Sequence, residues 1–157
     1  MPGEKGQEIR GMFIFAIAAA VAAIDQASKF IVGRHLQLYQ SIPVFKRFFH
    51  LTLVHNRGAA FGMFKGGGFF FILTACLALI AVSIYVKNRK KRLTPLPAVS
   101  LGLVAGGTVG NLIDRLFWGH VVDFLDFRIW PVFNIADTAI TCGMVLLFIY
   151  FIKNSGS

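Results

Sequence analysis

Long apolar runs separated by clusters of polar and charged residues set the pattern of this chain. About 20 mostly apolar residues are needed to cross a bilayer as a helix. Four segments meet that length, at about 12–32, 69–86, 97–118 and 135–152. The third is the least hydrophobic, because it ends in Asn111, Asp114 and Arg115. It also carries Gly102, Gly106, Gly107 and Gly110, whose spacing lets helices pack closely in lipid. The first could be read as a cleaved leader, with Lys5 and Arg10 ahead of AIAAAVAA. Its length and the Asp25 and Lys29 near its end favour retention as a span. Between the first two spans, FFHLTLVHNRGAAFGMF mixes β-branched and aromatic residues with Gly58 and Gly62, which predicts short strands at the membrane surface. The connection at 119–134 follows the third span, with a short helix as one expectation. The expected fold is an all-α membrane protein of one domain over residues 1–157: a four-transmembrane-helix bundle. A small β-rich extracytoplasmic loop joins helices 1 and 2, and a short extracytoplasmic segment joins helices 3 and 4.

Composition agrees. Hydrophobic residues make up 56% of the 157 and charged residues 15%, against about 45–50% and about 25% in ordinary globular domains. Mean hydropathy is +0.68, and 17 residues are Phe. The net charge of +9 would suggest nucleic acid in a soluble protein. Here the basic residues flank spans, and no nucleic-acid partner is expected. Lys87, Arg89, Lys90, Lys91 and Arg92 crowd the short second loop, which the positive-inside rule places in the cytoplasm together with both termini. The longer first loop also holds Arg34, Lys46, Arg47, Arg57 and Lys65, but at lower density.

Cys76 and Cys142 lie in apolar runs and read as small buried hydrophobes. They suggest neither a disulfide framework nor a metal site. His35, His50, His55 and His120 are scattered, without H-E-x-x-H, so no metalloprotease is expected.

The carboxylates carry the chemistry. Of seven, Glu4 and Glu8 sit in the N-terminal tail, while Asp25, Asp114, Asp123, Asp126 and Asp137 fall in or beside spans. In the orientation above, all five gather at the outer ends of spans one, three and four. An ionisable group at membrane depth is costly unless paired and marks function by default. Asp123 and Asp137 are brought near each other if spans three and four are antiparallel neighbours. Two close carboxylates cannot easily both ionise, which separates a general acid from a general base. Taken singly, Asp123 passes as a helix cap or interface residue, and Asp137 as an N-cap. Asp126 reads as a solvated loop residue, and Asp114 with Arg115 as an internal ion pair. Asp25 and Lys29, at i and i+4, share a helix face. These features fit an enzyme and a proton-coupled carrier alike. A lipid-binding assembly factor without chemistry is a third reading. Against a carrier, the carboxylates gather at one level, and no inverted repeat relates the halves. A serine–lysine peptidase using Ser28 and Lys29, or Ser41, is disfavoured because adjacent helical residues point about 100° apart.

Five blocks then appear in order: Asp25 with Lys29 in IDQASK; Asn56, Gly58, Ala60 and Phe61 in HNRGAAFG; Gly106, Gly107, Gly110, Asn111, Asp114 and Arg115 in GGTVGNLIDR; Asp123 in VVDF; and Phe133, Asn134, Ala136 and Asp137 in FNIAD. Through these blocks the chain resembles the bacterial lipoprotein signal peptidase (signal peptidase II) family nearly end to end, without departure at any of these positions. The resemblance implies an aspartic endopeptidase of the bacterial cytoplasmic membrane with its active site toward the extracytoplasmic side. Its substrates are diacylglyceryl-modified prolipoproteins, cut N-terminal to the lipidated cysteine, the signal helix entering from the membrane side. It further implies that Asp123 and Asp137 are the catalytic pair. Asn56, Asn111, Arg115 and Asn134 bind substrate backbone and orient the pair. Gly58, Asp114, Ala136, Asp25 and Lys29 belong to the surrounding support. No cofactor is implied, membrane lipids surround the protein, and a monomer is expected. Phe61, Phe124 and Phe133 face either lipid chains or the protein's own packing.

Overall fold

The computed structural model describes residues 2–58, 68–89 and 94–155. Ala60, Phe61, Gly62, Lys65 and the basic Lys90, Lys91 and Arg92 lie outside the described residues. The elements run α1 (Pro2–His35), β1 (Ser41–Phe45), β2 (Phe49–Asn56), α2 (Gly68–Arg89), α3 (Pro95–Trp118), β3 (Val121–Asp126) and α4 (Ile135–Asn154). All four helices are long and apolar enough to cross a membrane. Large hydrophobic side chains cover their outsides, including Phe15, Phe69, Leu77 and Phe148. Inside a bilayer this is the expected arrangement, since hydrocarbon supplies no reason to hide them.

α3 is the central helix, packed against α1, α2 and α4. Its glycines make that possible. A Cβ on Gly106 would lie 2.6 Å from the Ala18 carbonyl of α1, and one on Gly102 2.8 Å from the Ile17 side chain. A Cβ on Gly107 would meet the Ala136 carbonyl of α4. Pro95 opens α3, where its missing N–H costs nothing, and Gly119 closes it in the left-handed conformation (φ 68°), donating its N–H to the Arg115 carbonyl at 3.2 Å.

The three strands form one antiparallel sheet, ordered β1-β2-β3. A strand, rather than a short helix, therefore occupies the connection after α3. Val121–Asp126 is rich in β-branched and aromatic residues and completes the sheet that β1 and β2 begin. Its buried Phe124 packs with Val32, Leu36 and Leu53, which seats the sheet on the end of α1. Phe124 is thus a core residue and does not face lipid. Phe133 stacks on Phe127 at 5.8 Å and bridges back to Leu125, which returns the chain to the sheet just before α4. Cys76 is half-buried and Cys142 exposed on its helix, so neither is the buried small hydrophobe the sequence suggested.

Candidate active site

Asp123 and Asp137 reach the site by different routes. Asp123 is delivered by β3, opposite Val54 of β2, and is almost wholly buried. Asp137 sits in the first turn of α4. It is not the N-cap that its sequence position suggested: Asn134 is the cap and Asp137 the third helical residue, in a reciprocal capping box. The Asp137 N–H donates to Asn134 Oδ1 at 2.9 Å, and the Asn134 N–H to Asp137 Oδ2 at 3.3 Å. The same cap side chain reaches the other aspartate, since Asn134 Nδ2 donates to Asp123 Oδ1 at 2.7 Å. One fully buried asparagine therefore holds both carboxylates.

Two further amides complete the frame. Asn56, at the end of β2, accepts the Gly58 N–H at 3.0 Å and donates to Asp123 Oδ2 at 2.9 Å. Asn111 of α3 donates to Asp137 Oδ1 at 2.7 Å. Burial, reinforced by the neighbouring Asp137 charge, pushes the Asp123 carboxyl up to about 7, against the opposing hydrogen bonds from Asn56 and Asn134. Its ordinary value is about 4, so the shift brings its titration close to neutral pH.

Behind the pair lies a buried ion network. Lys29 Nζ contacts Asp25 Oδ2 at 2.7 Å, Asp114 Oδ2 at 2.8 Å and Asn111 Oδ1 at 3.0 Å. Asp114 thus pairs with Lys29 and not, as sequence adjacency suggested, with Arg115. Its other bonds, to Gln26 at 2.8 Å and the Val122 N–H at 3.0 Å, tie α3 to α1 and to β3. Asp25 accepts the Ala136 N–H at 2.9 Å, satisfying a first-turn donor of α4. Ala136 is fully buried, with its carbonyl against Gly107 and its Cβ against Gly110 of α3. Arg115 lies over the Phe71 ring at 5.0 Å and donates to the Asn111 carbonyl at 3.3 Å.

Sequence reasoning missed two members. Asp126 is buried rather than solvated, although it lies in the expected connection. Burial raises its carboxyl, but donors from Thr52 and Arg128 prevail and hold it below the ordinary value. It braces the turn at Arg128 (φ 66°) rather than the pair. Gln26, which bridges Asp25 and Asp114, had only its place beside Asp25 as a signal. Of the scattered histidines, His55 and His120 stack at 3.9 Å. Burial, with His120 and Arg57 nearby, lowers His55 from its ordinary value. Ser28 donates its hydroxyl to the Asp25 carbonyl at 2.7 Å, while Lys29 Nζ is engaged by Asp25, Asp114 and Asn111.

Two cavities meet at Asp137. One, of about 260 Å³, lies between α2 and α3, lined by Thr74, Ala75, Ala78, Thr108, Asn111 and Arg115. The other, of about 480 Å³, is bounded by Phe48, Phe127, Trp130 and Phe133 on the sheet side and Thr138 and Thr141 on α4. A buried carboxyl on a strand and a partly buried one in the first turn of a membrane-spanning helix, framed by shared amide donors, with cavities on two sides of the second, fit the class of membrane aspartic peptidases.

The comparisons are narrower still. The family model described as "Signal peptidase (SPase) II" matches residues 17–153. The chain is 49% identical over 132 residues to the lipoprotein signal peptidase of Moorella thermoacetica, covering 83% of this chain and 87% of that protein. It is 43% identical over 137 residues to that of Halothermothrix orenii, covering 87% and 93%. A solved bacterial membrane enzyme, determined by the in meso method at 2.3 Å, superposes with a TM-score of 0.83 at 35% identity, covering 92% of this chain and 90% of the other. The chain belongs to the signal peptidase II family. It is a multi-pass bacterial membrane protein and an aspartic peptidase that removes signal peptides from prolipoproteins.

Proposed function

We propose that Asp123 and Asp137 are the residues that hydrolyse the peptide. The observation that carries this is Asn134, which bonds both carboxylates at once. The protonated partner donates a hydrogen bond to the scissile carbonyl. The ionised partner takes a proton from water as its oxygen attacks. Asp123 suits the protonated role, because burial keeps its proton to about pH 7. Asn56, Asn111 and Asn134 orient the pair, with Gly58 fixing Asn56 from the backbone. Arg115, with its guanidinium facing the smaller cavity, binds substrate backbone carbonyls. Asp25, Lys29, Asp114 and Ala136 support the frame from behind.

The substrate in this reading is a prolipoprotein with a diacylglyceryl cysteine, cut N-terminal to that cysteine. Two cavities flanking Asp137 provide for the two sides of the bond. The signal helix enters laterally from lipid. The 157 residues act as one domain and as a monomer, because both aspartates and all three amides come from one chain. The site faces the extracytoplasmic side and both termini the cytoplasm, as the basic loop at 87–92 favours.

The test is cleavage in detergent of a prolipoprotein already carrying its diacylglyceryl cysteine, read by gel shift. The parent is expected to cut, and Asp123→Asn and Asp137→Asn to lose activity by about 10³-fold, within the usual range for acid–base groups. Mutants that stay folded and cut like the parent would falsify the assignment of the pair.

A further inference from the structure

The three amides around the aspartates share a feature that their spacing in sequence does not show. Each is locked in one orientation by a partner that can only donate. Asn134 Oδ1 accepts the Asp137 N–H. Asn56 Oδ1 accepts the Gly58 N–H. Asn111 Oδ1 accepts Lys29 Nζ at 3.0 Å and Asn134 Nδ2 at 3.1 Å. An ammonium has three donors and no acceptor, and all three donors of Lys29 are engaged. An amide whose oxygen is held must turn its NH2 the other way. For Asn111 that direction is Asp137 Oδ1, 2.7 Å away. In two of the three cases the lock is backbone. Only for Asn111 is it a charged side chain, drawn from a different helix.

We propose that Lys29 is a positioning residue for peptide hydrolysis: it fixes the amide of Asn111 so that Nδ2 faces Asp137, leaving that oxygen an acceptor and the proton of the pair elsewhere. The Asp25–Lys29–Asp114 cluster then does more than bind α1 to α3. It sets a hydrogen-bond direction that runs from α1 through α3 to α4. Without Lys29, Asn111 Oδ1 keeps only the 3.1 Å bond from Asn134 Nδ2, a group already shared with Asp123 and the Val122 carbonyl, so Asn111 can turn its oxygen to Asp137, which suits a protonated carboxyl and opposes an ionised one. The proposal rests on the assignment of Asp123 and Asp137 as the working pair.

The experiment is a double-mutant cycle on kcat and KM with diacylglyceryl-prolipoprotein as substrate, using Lys29→Met, Asn111→Ala, the double variant and Lys29→Arg. Lys29→Met is expected to lower kcat about 100-fold, the cost of a small misplacement of a catalytic group, with KM within about two-fold. In the Asn111→Ala background it is expected to cost nothing further, because interacting residues are non-additive. Lys29→Arg, also donor-only, is expected to retain kcat within a few-fold. The charges facing Asp123 are Asp137 on α4, Lys29 on α1 and Arg115 on α3. Losing Lys29 removes an attraction for the Asp123 carboxylate, so the alkaline fall in kcat moves to higher pH. If Lys29→Met does not accumulate as folded protein, Lys29→Met with Asp25→Asn, which removes one carboxylate left unpaired, replaces it in the cycle. Additive losses with an unmoved pH profile would overturn the proposal and leave Lys29 a structural ion. Full activity in Asp123→Asn, run alongside, would instead overturn the underlying assignment of the pair.

Discussion

Helix α3 is buried over 61% of its most apolar stretch and α2 over none of it, although α2 is the more hydrophobic, with mean hydropathy 2.6 against 1.5. In water the ranking would be reversed. In lipid, apolar side chains gain little by leaving the chain's surroundings, so burial goes to helices that are small enough to approach and polar enough to need partners. α3 is both: Gly102, Gly106 and Gly107 let the backbones of α1 and α4 come close, Gly110 leaves room for the Asp25 side chain, and Asn111 and Asp114 find partners on α1, α4 and β3. α2 offers Thr74, Ala75 and Ala78 as one wall of a cavity. It is the side on which the site can be filled, while α3 is the side on which it is built.

That contrast can be broken from either helix. The largest effect beyond the aspartates is expected at Asn134. Asn134→Ala removes a donor from Asp123 and the cap of α4 together, and should lower kcat by about 10²-fold or more, within the range of acid–base catalysis. It should also cost about 0.5–2 kcal/mol, as other cap deletions do. Cleavage kinetics and thermal unfolding in detergent check the two parts.

Gly107→Val comes next. Its side chain must displace the Ala136 carbonyl and Ile140, and overpacking of this kind costs about 1–3 kcal/mol. Thermal unfolding should show the loss, with Asp137 carried out of place. A parent-like melting temperature would mean that α3 and α4 are less closely packed than described.

The pH dependence sharpens the same picture. Asp123, raised to about 7, keeps its proton below that value, so activity should fall as pH rises through it and the acid form is lost. The native state binds this proton more tightly than the unfolded chain. Stability is therefore expected to decline as pH rises from about 4 to about 7 and then level off. Asp123→Asn should flatten that slope, as measured by unfolding at a series of pH values.

The smallest effects belong to α2. Phe69, 78% exposed, should be replaceable by Ala within about 0.5 kcal/mol. Ala78→Leu, which narrows the cavity, should raise KM several-fold and leave stability unchanged. A large loss of stability in either would show α2 to be as deeply committed as α3.

Much of this was legible in the chain itself. Apolar runs of the right length gave four helices. The glycines of α3 announced close packing, and five carboxylates beside spans announced chemistry, since lipid tolerates such groups only for a purpose. The blocks around Asp123 and Asp137 pointed to their family. Less legible were the partners. Asp114 sits next to Arg115 in sequence and bonds Lys29, 85 positions away, because side chains of adjacent helical residues diverge while those of facing helices converge. β3 escaped because a strand is stabilised by its neighbour, and β2 lies far upstream. Asp126 looked solvated for the same reason, its donor Thr52 belonging to that distant strand.

Sequence alone therefore determined which residues had to cross the membrane and which could not remain there without partners. Those properties follow from the side chain and its solvent. The tertiary structure decided who those partners are: that Asn134 serves both aspartates, that Lys29 locks Asn111, and that α3 rather than the greasier α2 forms the centre. Hydrogen bonds are short-ranged and directional, so their pairing depends on which faces meet, and that is settled only when the helices pack.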